Sequence, residues 1–177
     1  YSYLSKLHFN KKESFNFKND GAIIRNKLKK EIVVTNDTIV QDIDFFKNDN
    51  ASSVAQKIFT YNLSDLSSMG AEPYSYTMSL SIPKGIKVNW IKEFTKKLLS
   101  LQKKYKVFLL GGDVCMSDNI YVSANFFGYI NKNSIIKREF PKLGDSIWVT
   151  GNIGESYIGL LIKKNKIDVK EGDKKYF

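Results

Sequence analysis

The 177 residues predict an α+β domain, a mixed or antiparallel sheet with two to three helices on one face. Three observations lead there. Short alternating or β-branched runs of strand length recur along the chain, and between them two longer stretches repeat apolar residues every three or four positions. The resulting order, β, β, α, β, α, β, β, β, α, departs from the strict alternation of a parallel α/β fold. Composition supports a packed core: 42% hydrophobic and 14% aromatic residues exclude a disordered chain, and 3 prolines with 11 glycines exclude a fibrous one. At this length a single domain over 1–177 is expected.

The strand runs are 21–25, 32–36, 74–82, 107–110, 120–130 and 146–150. Over 51–69, Val54, Ala55, Ile58, Leu63, Leu66 and Met69 recur at helical spacing, and Gly70 supplies a stop. Over 89–105, Trp90, Ile91, Phe94, Leu98 and Leu101 do the same with lysines on the opposite face, and a third helix is expected over 155–164. The strands 74–82 and 120–130 carry Tyr76, Met78, Leu80, Val122, Ala124 and Phe126 on one side and Phe127 and Tyr129 on the other. That pattern fits either a two-sided core or a homodimer closed through the sheet. The lysine-rich stretch from Lys163 onward reads as a boundary or frayed end.

No apolar run approaches the roughly 18–20 residues of a membrane span, and the first residues lack the layout of a signal peptide. A cytoplasmic protein with no membrane partner is expected. One cysteine, Cys115, removes any internal disulfide, and one histidine, His8, argues against a histidine-rich metal site. Chemistry must therefore rest on carboxylates, hydroxyls, lysines and arginines. The 28 Lys+Arg against 18 Asp+Glu give a net charge of +10. The lysines are dispersed, at 11–12, 27–30, 96–97, 103–106 and 163–166, without interleaved aromatics, so they read as solvated faces rather than a nucleic-acid surface. Starting at Tyr1 and stopping at Phe177, the chain reads as a piece of something longer.

Four polar clusters, each with an aspartate, sit where the chain is expected to enter or leave regular structure. They are Asn19-Asp20-Gly21, Thr35-Asn36-Asp37-Thr38, Asn62-Leu-Ser-Asp65 within the first helix, and Gly111-Gly112-Asp113 after the strand 107–110. Carboxylates without histidine or cysteine suit Mg²⁺, which takes oxygen ligands from one or two acids together with phosphates. Paired glycines allow a phosphate close to the backbone. On pattern alone the first, second and fourth clusters read as turns or loops before metal sites. Asn62 and Asp65, three apart on one helix, face either a cleft or simply solvent.

Taken in order, the clusters resemble a known family. Val33-Val-Thr-Asn-Asp-Thr-Ile-Val40, Asn62-Leu-Ser-Asp-Leu-Ser-Ser-Met-Gly-Ala-Glu-Pro73, Leu109-Leu-Gly-Gly-Asp113, Lys142-Leu-Gly-Asp-Ser-Ile-Trp-Val-Thr-Gly151 and Gly154-Glu-Ser-Tyr-Ile-Gly-Leu160 are similar to the N-terminal half of the thiamine-monophosphate kinases, within the aminoimidazole-ribonucleotide synthetase superfamily. The resemblance covers about Asp20 to Leu160.

That resemblance implies transfer of the ATP γ-phosphoryl group to thiamine monophosphate with Mg²⁺ on the phosphates, in a homodimer. Carried over by position, it implies metal ligands at Asp20, Thr35, Asn36, Asp37, Asp65 and Asp113, and ATP contacts at Gly112, Asp113 and Arg138. Asp44 falls where the family commonly has a histidine facing the substrate phosphate, Asp42 where it has a glycine, and Asn19 where it has the first of two aspartates. The family's second half, with its Ser-Asp-Gly motif, has no counterpart in these residues. Two readings follow: a thiamine-monophosphate kinase, or a non-catalytic dimeric fragment that still binds nucleotide.

Overall fold

In the computed structural model residues 30–137 and 140–170 are described. The strand expected over 21–25, Asp20 and Arg138 lie outside them. Four strands form one mixed sheet: β1 (Lys30–Val40), β2 (Glu72–Ile82), β3 (Phe108–Met116) and β4 (Tyr121–Asn131), in the order β1-β4-β2-β3. β4 runs antiparallel to β1 and β2, and β2 runs parallel to β3. The β1–β4 register is unbroken from Lys30 opposite Asn131 to Val40 opposite Tyr121. The α+β class and mixed sheet expected from the sequence are those observed.

Two helices cover one face. α1 (Ala51–Ser68) begins at Asn50, whose side chain accepts a 2.7 Å hydrogen bond from the Ser53 amide and so satisfies one of the helix's open donors. It ends before Gly70, which takes the left-handed φ of 76° that stops helices at low cost. α2 (Val88–Tyr105) ends at Lys106, also left-handed, and two lysines occupy its last turn, where the helix dipole favours cations.

The helical spacing drives both helices onto the sheet, because its apolar residues are the buried ones. Val54, Ile58, Phe59 and Leu66 of α1 and Phe94, Leu98 and Leu101 of α2 bury against Val33, Ile39, Tyr76, Leu80, Val122 and Phe126 of the sheet. At the centre the Phe126 ring stacks on Tyr76 at 4.7 Å between centroids and meets Phe59 edge-on at 5.0 Å. Burying Tyr76 requires a partner for its hydroxyl, and Gln102 of α2 donates to it at 2.9 Å.

The opposite face of the sheet carries no helix from residues 30–137. At one end it is apolar, with Ile32 and Val34 exposed on β1 and Phe127 half-buried on β4, and Tyr129, Tyr74 and Phe108 join ring to ring. At the other end it is polar. Phe127 and Tyr129 thus lie across the sheet from Phe126, as their alternation in the sequence requires.

Three sequence expectations change. Thr35-Asn36-Asp37-Thr38 is not a turn at a strand end but lies inside β1, since each residue is paired with one of β4. Gly111-Gly112-Asp113 is not a loop but the continuation of β3 beside β2. A Cβ on Gly112 would sit 1.8 Å from the Met78 carbonyl oxygen, so the parallel pairing itself demands glycine there. The run 146–150 forms no strand, because no strand lies beside it among the described residues of its part of the chain. That part, residues 138–177, is a compact unit separate from residues 1–137, and it contains α3 (Glu155–Lys163). The division falls at Lys137, well before the lysine-rich stretch.

Phe126→Ala is expected to lower the unfolding free energy by about 3–5 kcal/mol, the range for a fully buried phenylalanine. Denaturant titration checks this, and a loss under about 1 kcal/mol would remove the ring from the core.

Candidate active site

Thr35 and Asp37 are two apart on β1 and so share a face, the one that α1 covers. Asp65 lies near the C-terminal end of α1. The Thr35 hydroxyl donates to Asp65 Oδ2 at 2.8 Å, tying strand to helix through one carboxylate oxygen. Asp37 is close enough for the Asp65 charge to act on it. Partial burial, and then that negative charge, raise the Asp37 carboxyl above the ordinary 3.8. Neither aspartate has a cationic partner among the described residues.

Two acids and a hydroxyl converging without a compensating lysine or arginine form a hard-oxygen donor set. The chemistry fits Mg²⁺, whose two positive charges would relieve the repulsion that Asp37 experiences. One further feature lies close by in the chain. Asn62, one helical turn before Asp65, is fully buried; its amide donates to the Ile58 carbonyl at 3.0 Å while its Oδ1 has no partner. Asn62 and Asp65 therefore do not share an environment: one is inside the fold and the other at its surface.

The strand alternation sends Asn36 to the other side. Its amide donates to Asn125 Oδ1 at 2.9 Å and the Ala124 carbonyl at 3.2 Å, and Asn125 in turn donates to Thr77 Oγ1 at 3.2 Å. Beside it, the Thr38 hydroxyl donates to Ser123 Oγ at 2.8 Å. Asp113 belongs to this side as well. Ser79 lies opposite both Asp113 and Ser123, and Ser123 lies opposite Thr38. Two residues further along both strands, Ser81 Oγ and Cys115 Sγ meet at 2.7 Å, which fixes the face.

Asp113 is thus exposed on the edge strand farthest from β1, about 14 Å away at the usual strand spacing, and on the face opposite Asp37 and Asp65. The expected ligands fall into two groups: Thr35, Asp37 and Asp65 together under α1, and Asn36 with Asp113 on the open face. Thr77, Ser79, Ser123 and Asn125, the polar residues joining that second group, were missed in the sequence. They alternate with the apolar core set of β2 and β4, which was the available signal.

Asp44 and Asp42 are occupied locally. The Asp44 carboxylate accepts from the Val40 amide at 2.8 Å, and the Lys57 ammonium donates to its carbonyl. Asp42 has a φ of 65°, the left-handed conformation that aspartate tolerates and glycine favours. Its carboxylate accepts from the Lys47 amide at 3.1 Å and the Gln41 side chain at 3.0 Å. Both acids are built into the turn after β1.

Residues 18–130 match the model of the family described as AIR synthase related protein, N-terminal domain. The chain belongs to that family. A thiamine-monophosphate kinase from Buchnera aphidicola subsp. Schizaphis graminum is 36% identical over 151 residues, 85% of this chain and 46% of the relative. A crystal structure of the thiamine-monophosphate kinase from Stenotrophomonas maltophilia K279a superposes with a TM-score of 0.80 at 28% identity, over 89% of this chain and 51% of that one. A structure of AaThiL complexed with AMPPCP and TMP shares the fold, with a TM-score of 0.76 at 24% identity over 88% and 49% of the two chains. The chain spans about half the length of the curated relatives it matches.

Because the Asp37 carboxyl is raised in the folded state, its ionised form opposes folding. The penalty is full well above the folded pKa and fades as pH falls toward 3.8. Asp37→Asn is therefore expected to stabilise the metal-free chain near pH 7, by less than about 1 kcal/mol after solvent screening, and to make no difference near pH 4. Thermal melts at the two pH values check this; equal stability of the two proteins at pH 7 would remove the repulsion from the account.

Proposed function

We propose that this chain is the nucleotide- and metal-binding part of a thiamine-monophosphate kinase. The proposed reaction transfers the terminal phosphoryl group of ATP to the phosphate of thiamine monophosphate. The bond between that phosphorus and the ADP oxygen breaks as one to the acceptor phosphate oxygen forms, so no nucleophile from the protein is required. The observation that carries the reading is the convergence of Thr35, Asp37 and Asp65, which come from two distant motifs and form one oxygen-donor site. The thiamine-monophosphate kinases among the relatives, and the ATP analogue and TMP in the AaThiL complex, support the same assignment.

In this reading Asp37 and Asp65 hold Mg²⁺, and the Thr35 hydroxyl holds the Asp65 carboxylate in the orientation that faces β1. Bound there, the metal supplies positive charge that offsets the charge on the phosphate oxygens. Asp113 and Asn36 contribute from the open face and Gly112 through its backbone, and Asp20 and Arg138 complete the metal and ATP contacts. The open face pairs two copies into a homodimer, burying Ile32 and Val34, whose exposure in one copy is otherwise costly, together with the half-buried Phe127. No helix among the described residues is long and apolar enough to cross a membrane, and we place the activity in the cytoplasm, where ATP is available.

A second reading, nucleotide binding without turnover, is favoured by Asp44, which stands where the family resemblance implies a histidine and whose carboxylate is taken up by the Val40 amide. Calorimetry with ATP, with and without Mg²⁺, tests both. Metal-dependent binding is expected, weakened at least tenfold in Asp65→Ala with the circular dichroism unchanged. Thiamine diphosphate formed once thiamine monophosphate is added to the same mixture selects the kinase; binding without product selects the second reading; absence of metal-dependent binding removes both.

A further inference from the structure

Across the open face one row of side chains runs through three strands and ends at a glycine on the fourth. Asn36 of β1 lies directly opposite Asn125 of β4, Asn125 opposite Thr77 of β2, and Thr77 opposite Gly111 of β3. Asparagine is depleted in strands, so two of them facing each other in mid-sheet call for a reason other than strand formation.

Their amides have one orientation. Asn36 Nδ2 donates to the Ala124 carbonyl at 3.2 Å and to Asn125 Oδ1 at 2.9 Å, with Ser123 Oγ at 3.4 Å. A main-chain carbonyl accepts and never donates, so the group that faces Ala124 must be the NH₂ of Asn36. Asn125 must then present its oxygen, since the reverse would set two NH₂ groups against each other, and its own Nδ2 is left to donate to Thr77 Oγ1 at 3.2 Å. The terminal torsion of asparagine is otherwise broad, and holding the NH₂ at two acceptors fixes it.

The oxygen of Asn36 is what remains. The trigonal Cγ turns Oδ1 away from those acceptors, no group among the described residues donates to it, and Asn36 is exposed. We infer that Asn125 is a positioning residue for Asn36: anchored on Thr77, it fixes the amide plane so that Asn36 Oδ1 is presented as a neutral oxygen ligand to the divalent cation that accompanies a nucleotide's phosphates. Such cations take amide oxygens as well as carboxylates, and a ligand oriented beforehand has less freedom to lose on binding. This rests on the metal-dependent nucleotide binding proposed above and adds the residue that sets one ligand's direction.

The test is calorimetry of the full 177-residue chain with ATP and Mg²⁺ through a double-mutant cycle of Asn125→Leu and Asn36→Ala. Asn125→Leu is expected to weaken binding about fivefold, the scale of one oriented hydrogen-bonding group, with the circular dichroism unchanged. In an Asn36→Ala background the same change is expected to weaken it by less than about twofold, because Asn125 then has nothing to orient. Thr77→Val releases Asn125 from its far side with little change of shape; it is expected to weaken binding in the same direction and carries the test where Asn125→Leu does not fold. In NMR spectra the side-chain carbonyl carbon of Asn36 is expected to shift when Mg²⁺ and ATP are added to the unaltered chain, and to shift far less in Asn125→Leu or Thr77→Val. Equal losses in both backgrounds, undiminished binding in the folded variants, or an Asn36 carbon that does not move in the unaltered chain would each overturn the inference. Binding without thiamine diphosphate once thiamine monophosphate is added upholds it and removes only the kinase reading. Absence of metal-dependent ATP binding removes the nucleotide reading and this positioning role with it.

Discussion

The unbroken eleven-residue register between β1 and β4 is the constraint from which the rest of the site follows. A strand allows each side chain only one of two faces, and a slip of one residue would exchange them all. With Val33 and Ile39 held in the core, Thr35 and Asp37 between them must lie under α1, and Asn36 and Thr38 must lie on the open side. The apolar ends of β1 therefore fix where its polar middle points. α1 completes the arrangement because the spacing that buries Ile58, Leu63 and Leu66 leaves Asp65 at the rim, where it receives the Thr35 hydroxyl.

This placement costs stability locally. Asp37, partly buried and beside the Asp65 carboxylate without a lysine or arginine partner among the described residues, is held from ionising freely. Such a cost persists in folds where a ligand removes it, and the large core beneath can absorb a loss on the order of 1 kcal/mol. The same economy explains the glycine in β3: the parallel pairing at Met78 leaves no room for a Cβ at Gly112, so one residue meets a packing demand at a position where the family resemblance implies a nucleotide contact.

Both long helices were legible in the sequence to within one residue at each end, because their apolar spacing is local and is also what buries them. Strand interiors were less so. Thr35 to Thr38 and Gly111 to Asp113 have the composition of turns, and only pairing with β4 and β2, residues far away in the chain, makes them strand. Had Thr35 to Thr38 been read as strand, alternation alone would have separated Asn36 from Asp37. The run 146–150 erred the other way, since it has a strand's side chains and lacks a neighbouring strand. Asp42 was legible as a departure from the family, but its left-handed backbone was not. The open-face location of Asp113 depends on strand order, which no local pattern carries.

The account's central claim is that Asp37 and Asp65 form one electrostatically coupled site that a divalent cation completes. Carbon-detected NMR titration of the Asp37 carboxyl, run with and without Mg²⁺ and repeated in Asp65→Asn, tests it most directly. The account predicts a pKa above 3.8 in the metal-free protein, a downward move when Mg²⁺ is added, and a smaller rise in Asp65→Asn that Mg²⁺ shifts far less. An Asp37 that titrates as an ordinary aspartate, or that responds neither to Mg²⁺ nor to the loss of Asp65, would contradict it.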